Sequence, residues 1–297
     1  MKINPGNLAT LGTGFNAAYT RGLGRAALQR QLVATTVPSS TASNEYGWLG
    51  QFPGMKEWIG DRVINQLKAY DYTIKNKDWE DTVVVDRNDI KDDNIGIYGP
   101  MFEELGRSAS AHPDQLIFAL LKAGFTTPCY DGQNFFDTDH PVLDEAGEPQ
   151  SVSNSGGGSG SPWFLIDDSR SLKPVIFQER EKPNFVSLDN PTDENVFMRK
   201  KYLYGVEARY NVGFGFWQYA YGSKQTLDAA AYAAARTALM EMKGDHGRPL
   251  GIRPSLLVVA PGNESAALKI LNNELGTGGA TNEWKGTAKL EVVPWLA

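Results

Sequence analysis

Cysteine and histidine are scarce in this chain of 297 residues, which contains one cysteine, Cys129, and three histidines. A single cysteine excludes an internal disulfide bond and zinc sites built from two or four cysteines. A metal site would therefore have to be rich in carboxylates. A reactive thiol needs cations nearby, and residues 126–131 supply none. Cys129 is therefore predicted to be a small, buried hydrophobic residue.

An excess of basic residues and long apolar runs are also missing. Acidic residues outnumber basic ones by 35 to 29, and the net charge is −6, whereas proteins that bind DNA tightly usually carry a basic surface. No run approaches the roughly 18 apolar residues of a membrane span. The first residues lack the pattern of a signal peptide, since only Lys2 is basic before Arg21. These features predict a protein made in the cytoplasm that does not grip DNA.

The motifs that bind nucleotides or activate nucleophiles are incomplete. The stretch 157–161 resembles the turn that exposes a catalytic serine, but its last glycine is missing. Gly213-Phe-Gly begins a dinucleotide fingerprint that lacks its third glycine. The acidic stretch 86–94 has no glycine where a calcium loop needs one. No catalytic residue and no cofactor are predicted from these patterns.

The most metal-like group is formed by Asp137, Asp139 and His140. Carboxylate and imidazole ligands of this kind can hold a divalent metal, so a metal-dependent hydrolase is one alternative function. Pro141 follows directly, and the stretch is also typical of a polar turn. The sequence therefore favours no metal site here.

The first 45 residues predict an arm that leads into a hairpin. Apolar residues in the range 15–33 recur at helical spacing between arginines, and residues 35–44 have the Thr and Ser content of a linker or an extended segment. Residues 46–91 follow as a strand-rich stretch. A β-branched run at 82–85 indicates a strand of a large hairpin, and a short helix is predicted at 55–69.

The strongest helix signal covers residues 95–124. Pro100 suits the first turn, and Gly124 is a suitable C-terminal cap. Pro113 lies inside this range, lacks an amide to donate and crowds the carbonyl four residues earlier. The sequence therefore predicts a break or a bend at 111–113.

The second half of the chain predicts a mixture of strands and helices. A glycine- and serine-rich loop at 144–162 has no core to bury and is predicted to be mobile. Strands are predicted at 163–167, 173–180, 206–212, 255–260 and 290–293, and helices at 227–242 and 264–275. Loosely segregated strands and helices of this kind are typical of an α+β fold.

Four aromatic residues in the predicted hairpin have few apolar neighbours along the chain: Trp48, Phe52, Trp58 and Trp79. Large aromatic side chains without a local core indicate contact with another surface. These four residues are therefore predicted to lie at an interface with a neighbouring subunit, the alternative being that they pack within their own chain.

Five stretches of uncommon consecutive residues run in order through nearly the whole chain: Tyr46-Gly-Trp-Leu-Gly-Gln-Phe-Pro, Asp92-Asp-Asn-Ile-Gly-Ile-Tyr, Cys129-Tyr-Asp-Gly-Gln-Asn-Phe-Phe-Asp with His140-Pro141, Lys173-Pro-Val-Ile-Phe-Gln-Glu-Arg and Gly213-Phe-Gly-Phe-Trp-Gln. In these stretches the sequence resembles the major head subunit family of phage Mu and Mu-like prophages. The agreement of several rare residues in a row makes this resemblance more specific than any single motif.

The resemblance implies a Hong Kong 97-like phage capsid fold. Such subunits have an N-terminal arm, an extended hairpin called the E-loop, a peripheral domain with a long spine helix, and an axial domain. On this sequence the implied division is 1–45 for the arm, 46–91 for the E-loop region, 92–224 for the peripheral domain with its spine helix at 95–124, and 225–297 for the axial domain.

The resemblance also implies a structural function in the icosahedral head of a tailed phage. Copies of the chain are expected to form pentamers and hexamers that close into a shell around dsDNA, with portal and scaffold or protease proteins as assembly partners and a decoration or minor capsid protein as a further candidate. The expected location is the virion capsid. A tail tube or sheath protein is the alternative among phage components.

The spine helix of related capsids changes shape as the shell matures. Pro113 is therefore predicted to act as a hinge, because a missing hydrogen bond localises bending. The alternative is that Pro113 only starts a second, fixed helix.

Overall fold

The computed structural model describes residues 2–50, 52, 71–92, 94–276 and 279–297. Helices and sheets are mixed in these residues, as the sequence predicts. The α-helices are α1 (Pro5–Leu23), α2 (Arg30–Val33), α3 (Arg87–Lys91), α4 (Tyr98–Ala123), α5 (Glu194–Arg199), α6 (Ala229–Met240) and α7 (Glu264–Leu271). The strands are β1 (Ala34–Pro38), β2 (Ser43–Glu45), β3 (Thr73–Lys75), β4 (Lys77–Asp86), β5 (His140–Leu143), β6 (Pro149–Val152), β7 (Ser155–Gly158), β8 (Trp163–Ile166), β9 (Val175–Leu188), β10 (Lys201–Phe214), β11 (Ala220–Lys224), β12 (Lys243–Gly244), β13 (Arg248–Pro249), β14 (Leu256–Val259) and β15 (Lys289–Val292).

A four-stranded sheet has the strand order β1-β9-β10-β4. Strands β9 and β10 are 14 residues long each and pair antiparallel along most of that length. The parallel strand β1 borders β9, and the antiparallel strand β4 borders β10. The β4 edge carries the exposed charges of Lys77, Asp78, Glu80 and Asp81. No other strand among the described residues pairs with this edge.

Helices α1 and α4 pack together over one end of this sheet and enclose a small core. The ring of Phe15 on α1 stacks on that of Phe102 on α4 with a centroid distance of 4.3 Å. The ring of Tyr204 on β10 approaches the same two rings at 5.2 and 5.6 Å. This aromatic contact fastens the N-terminal helix to the sheet.

The N-terminal helix differs from its predicted range of 15–33. It begins at Pro5, where Asn4 accepts a hydrogen bond of 2.8 Å from the backbone of Asn7, and it ends at Leu23. Residues 24–29 then separate α1 from the short helix α2. The predicted boundaries are wrong because Asn4 and Pro5 supply a strong N-terminal start.

Two glycines allow the backbones of α1 and α4 to touch where the helices cross. A Cβ atom added at Gly22 would overlap the carbonyl of Glu103, and one added at Gly106 would overlap the carbonyl of Tyr19. Both glycines are buried. The helices can therefore approach only because these two positions have no side chain.

Helix α4 confirms the predicted long helix and runs without interruption through Pro113. The predicted break is therefore wrong, and the predicted bend at 111–113 stays a prediction. The Arg30 guanidinium donates to the Ser110 carbonyl at 3.1 Å and pairs with the Asp114 carboxylate at 2.9 Å. Asp114 also accepts the backbone N–H of Gln29 at 2.7 Å. These contacts from the α2 segment support the helix on both sides of the proline.

A five-stranded sheet with the order β15-β14-β8-β11-β7 contains the larger core. Every residue of β8 and of β14 is buried. Such continuous apolar strands are typical of sheets that are covered on both faces. The predicted strands at 163–167, 255–260 and 290–293 are confirmed, and the predicted helices at 227–242 and 264–275 correspond to the shorter α6 and α7.

The loop predicted to be mobile at 144–162 is ordered in part by tertiary contacts. Strand β7 pairs in parallel with β11. Just before it, the amide nitrogen of the fully buried Asn154 donates to three carbonyls, those of Phe135 at 2.9 Å, Trp217 at 3.2 Å and Ala220 at 3.2 Å. The prediction of a mobile loop is wrong for this part. The pairing of β7 with β11 and the hydrogen bonds of Asn154 cannot be recognised from a glycine-rich composition.

The sheets combine strands from segments that the sequence division separates. Strand β1 from the predicted arm and β4 from the predicted E-loop region share one sheet with β9 and β10. Strands β14 and β15 share the other sheet with β7, β8 and β11. The division into arm, E-loop, peripheral and axial parts stays a prediction.

We expect Gly106→Ala to destabilise the unassembled subunit by about 1–3 kcal/mol, because the added methyl group forces the two helices apart. Gly14→Ala is the matched control, since a Cβ atom there meets nothing within 4 Å. Alanine in an open helical position should stabilise by about 0.5–1 kcal/mol. Urea unfolding followed by circular dichroism measures both changes, and equal effects at both positions would contradict the proposed backbone contact.

Candidate assembly surfaces

Two of the aromatic residues predicted to contact a neighbour lie against the larger core. The ring of Trp48 lies 6.1 Å from that of Tyr46 and 5.8 Å from that of Phe216. The ring of Phe52 approaches those of Phe216 and Tyr219 at 5.0 and 5.9 Å. Trp48 nevertheless keeps 37% of its surface exposed.

Trp79 packs between the spine helix α4 and strand β10. Its indole N–H donates to the Tyr210 carbonyl at 3.0 Å, and its ring meets the His112 ring at 4.5 Å. Nδ1 of His112 lies 2.9 Å from the Tyr210 hydroxyl. Burial lowers the pKa of His112 below its ordinary value, which favours the neutral ring at this position.

Trp48, Phe52 and Trp79 have ring partners within their own chain, as the alternative to an interface allows. Their partners come from distant parts of the sequence, so local composition gave no sign of them. Trp58 lies outside the described residues. The interface prediction for all four residues stays a prediction, with Trp48 the most exposed of the described three.

A cleft of about 170 Å³ lies beside Trp79, between α4 and the sheet. Its walls include Leu105, Ala109, Pro183 and Val206. The lining is largely apolar, and the polar groups at its edge belong to His112 and to the acidic residues of β4. Such a surface can accept an apolar side chain.

The two most exposed of the described large apolar residues lie on α5, which connects β9 and β10. Phe197 and Met198, both on α5, expose 80% and 69% of their surfaces. Val84 and Leu188 flank Leu203 in one cross-strand row, and Val186 pairs with Gly205 in another. The residues Val84, Val186, Leu188, Phe197 and Met198 are named the apolar tip, and all five are exposed.

Little in the sequence signals the apolar tip. Each of its residues lies in a short, locally mixed stretch. The pairing of β4, β9 and β10 brings together Val84, Val186 and Leu188, and α5, which carries Phe197 and Met198, lies between β9 and β10 in the chain. A run such as Val196-Phe-Met on a six-residue helix is a weak signal, because one of the three residues, Val196, is buried. Register is needed to show which side chains share a face.

The residues of the hydrolase alternative do not converge on an exposed site. Asp137 accepts hydrogen bonds from the backbones of Asn134 and Thr138. The exposed Asp139 accepts a hydrogen bond from the Ser151 hydroxyl. His140 is fully buried. Within the described residues, these three do not form a group that could share a metal ion.

His140 instead meets Cys129 and Asp131, a combination that the sequence did not predict. Nδ1 of His140 lies 2.8 Å from a carboxylate oxygen of Asp131, and the Cys129 thiol lies 3.0 Å from the other oxygen. Burial raises the pKa of the Cys129 thiol. Burial also acts to raise the pKa of Asp131, but hydrogen bonds from His140 and Cys129 outweigh it and lower that pKa.

The family model of the Mu-like prophage major head subunit gpT matches residues 8–296. The chain belongs to this family. It is 45% identical to the major capsid protein of Escherichia phage Mu over 305 aligned positions, which span 100% of both chains. The chain is therefore a structural subunit of a phage head and has its place in the virion capsid, as the resemblance predicted. Nothing in these similarities supports the hydrolase alternative.

The fold of the head subunit agrees with that of capsid subunits from bacteriophage JBD30. The subunit of the JBD30 procapsid superposes with a TM-score of 0.85 and 47% identity over 99% of this chain and 100% of that one. The JBD30 capsid decorated with minor capsid protein trimers gives a TM-score of 0.80 and 36% identity over 93% of each chain. The predicted Hong Kong 97-like capsid fold is confirmed.

Within the described residues, no helix combines the length and apolar character needed to cross a bilayer.

Proposed function

We propose that copies of the head subunit assemble through rings of five and six into a closed icosahedral shell around dsDNA, and that the apolar tip is one of the contacts between copies. The observation that carries this proposal is the exposure of Phe197 and Met198 at 80% and 69% in the single chain. A single subunit leaves this apolar surface in water, whereas an assembled shell can cover it.

The energetic case for the apolar tip rests on its size and composition. Burying one large apolar side chain contributes roughly 1.5–3 kcal/mol, so two such side chains per subunit contribute substantially when many copies associate. Rings form by contacts between unlike surfaces of identical copies. The tip therefore needs a different surface on the neighbour, and the cleft beside Trp79 and the exposed face of Trp48 are the candidates.

The net charge of −6 supports enclosure of DNA without specific binding. An inner surface with many lysine–phosphate pairs would hold the duplex through strong electrostatic contacts. The proposed partners are other copies of this chain, portal and scaffold or protease proteins during assembly in the host cytoplasm, and a minor capsid or decoration protein like that on the JBD30 capsid. No catalytic role is proposed.

The variant with both Phe197→Ser and Met198→Ser tests the apolar tip. We expect folded subunits with an unchanged unfolding midpoint, because exposed side chains contribute little to stability, and we expect at least a tenfold loss of shells, which corresponds to about 1.4 kcal/mol. Electron microscopy and sedimentation count the particles. Met240→Ser is the matched control, since Met240 is 51% exposed on α6, outside the tip. Normal shell yields from the double variant would remove the tip from the assembly contacts.

Trp58→Ala tests the interface prediction for the E-loop region. If Trp58 packs on a neighbouring copy, the variant keeps the unfolding midpoint of the free subunit and loses shells. If it packs in its own chain, the free subunit itself loses stability, as a large-to-small change in a core would cause. Trp79→Ala serves as the comparison, because its in-chain hydrogen bond and ring contacts predict destabilisation of the free subunit. Destabilisation of the free subunit by Trp58→Ala, with shells still forming, would contradict the prediction.

Pro113→Ala tests the proposed hinge in the spine helix. Alanine restores a hydrogen-bond donor and removes a residue that costs roughly 3 kcal/mol inside a helix. We expect precursor shells to form and to convert to the mature form more slowly. Met101→Ala is the control, since it changes an exposed position on the same helix, outside the cleft beside Trp79, without altering backbone bonding. Cryo-electron microscopy of precursor and mature wild-type shells gives the helix angle at 111–113, and an unchanged angle would eliminate the hinge.

A further inference from the structure

Three side chains that can bind a transition metal meet inside the head subunit, away from the apolar tip. Sγ of Cys129, a carboxylate oxygen of Asp131 and a ring nitrogen of His140 lie within 4.8 Å of one another. The His140 and Asp131 side chains are 0% and 3% exposed, and Cys129 is buried. Among the described residues, these three side chains form a group that could hold a metal ion.

The orientation of Asn154 fixes the proton on one ring nitrogen of His140. The Asn154 amide nitrogen faces three backbone carbonyls, so it must be the donor end of the side chain. Its oxygen therefore faces Nε2 of His140 at 3.2 Å and the backbone N–H of Asp137 at 3.0 Å. Nε2 must carry a hydrogen, because an acceptor opposite an acceptor would repel.

The other ring nitrogen, Nδ1, faces the remaining members of the group. Nδ1 lies 2.8 Å from one carboxylate oxygen of Asp131, and the Cys129 thiol lies 3.0 Å from the other oxygen. These are hydrogen-bond distances. A metal ion that binds here would replace the hydrogens shared by these groups and would contact all three side chains.

We propose that Cys129, Asp131 and His140 form a structural binding site for a divalent transition metal, with zinc the best match. Sulfur, carboxylate oxygen and imidazole nitrogen are all zinc ligands. A solvent molecule or the second oxygen of Asp131 would complete the coordination. The thiol proton leaves when the metal binds, and so does any proton on Nδ1.

The surroundings have the supporting contacts that metal ligands usually show. A coordinating histidine typically donates its second N–H to a fixed acceptor, and the Asn154 oxygen occupies that position. The ring of His140 is also held by Trp217, which stacks on it at a centroid distance of 3.8 Å and an interplanar angle of 9°. Asp131 is oriented by the backbone N–H of Gln133 at 3.1 Å.

A metal at this position would tie three parts of the fold together. Cys129 and Asp131 lie on the loop after α4, and His140 begins β5. Asn154 links the same group to the carbonyl of Ala220 at the start of β11. Bound metal should therefore stabilise the folded subunit, as ligands that bind only the native state do.

The wild-type head subunit is produced with zinc in the medium and is then dialysed. Its metal content is measured by mass spectrometry. We expect about one zinc ion per chain. Cys129→Ser should lose most of this zinc. His246→Gln and Asp139→Asn are matched controls at exposed positions, and both should keep it. A chelator should lower the melting temperature of the wild type and of the controls but not that of Cys129→Ser.

Cobalt substitution gives a second readout that does not depend on any variant folding. Cobalt bound to a thiolate absorbs in the near ultraviolet, so the wild-type subunit loaded with cobalt should show this band, and alkylation of Cys129 under denaturing conditions before refolding should abolish it. A zinc content near zero together with no cobalt band would overturn the proposal.

Discussion

The antiparallel pairing of β9 and β10 is the constraint on which the rest of the head subunit depends. At one end of the pair, Tyr202 and Tyr204 enter the small core beneath α1 and α4. At the other end, Tyr210 and Phe214 enter the larger core. A shift of one residue in this pairing would turn both sets of side chains to the wrong face. The register irregularities of the pair lie around Glu207 to Tyr210, where the strand passes from the small core to the larger one, and such irregularities increase the local twist.

The sequence predicted those elements whose signals are local and repeated. Helix α4 was predicted from its periodic apolar residues and from Gly124, and β8 and β14 from continuous apolar runs that only a covered strand tolerates. The family, and with it the fold, followed from strings of rare residues. These signals can be recognised in the sequence because each one lies entirely within one stretch of the chain.

The predictions that were wrong depended on partners far away in the sequence. The helix continues through Pro113 because Arg30, more than 80 residues earlier, bonds to Ser110 and Asp114. The glycine-rich segment is ordered because Asn154 reaches carbonyls on other strands. In each case one long-range polar contact outweighed a local preference.

The charged edge of β4 affects what happens before a shell exists. A phage produces many copies of its head protein at once, and exposed strand edges in a crowded solution are the usual starting points for sheet-to-sheet aggregation. Along this edge, Asp78, Glu80 and Asp81 would face the same charges on an identical strand that paired in the same direction and register, and like charges directly opposite one another are unfavourable. Newly made copies are thereby kept from joining edge to edge, and they remain free to meet through their faces, where the geometry of a closed particle can be achieved.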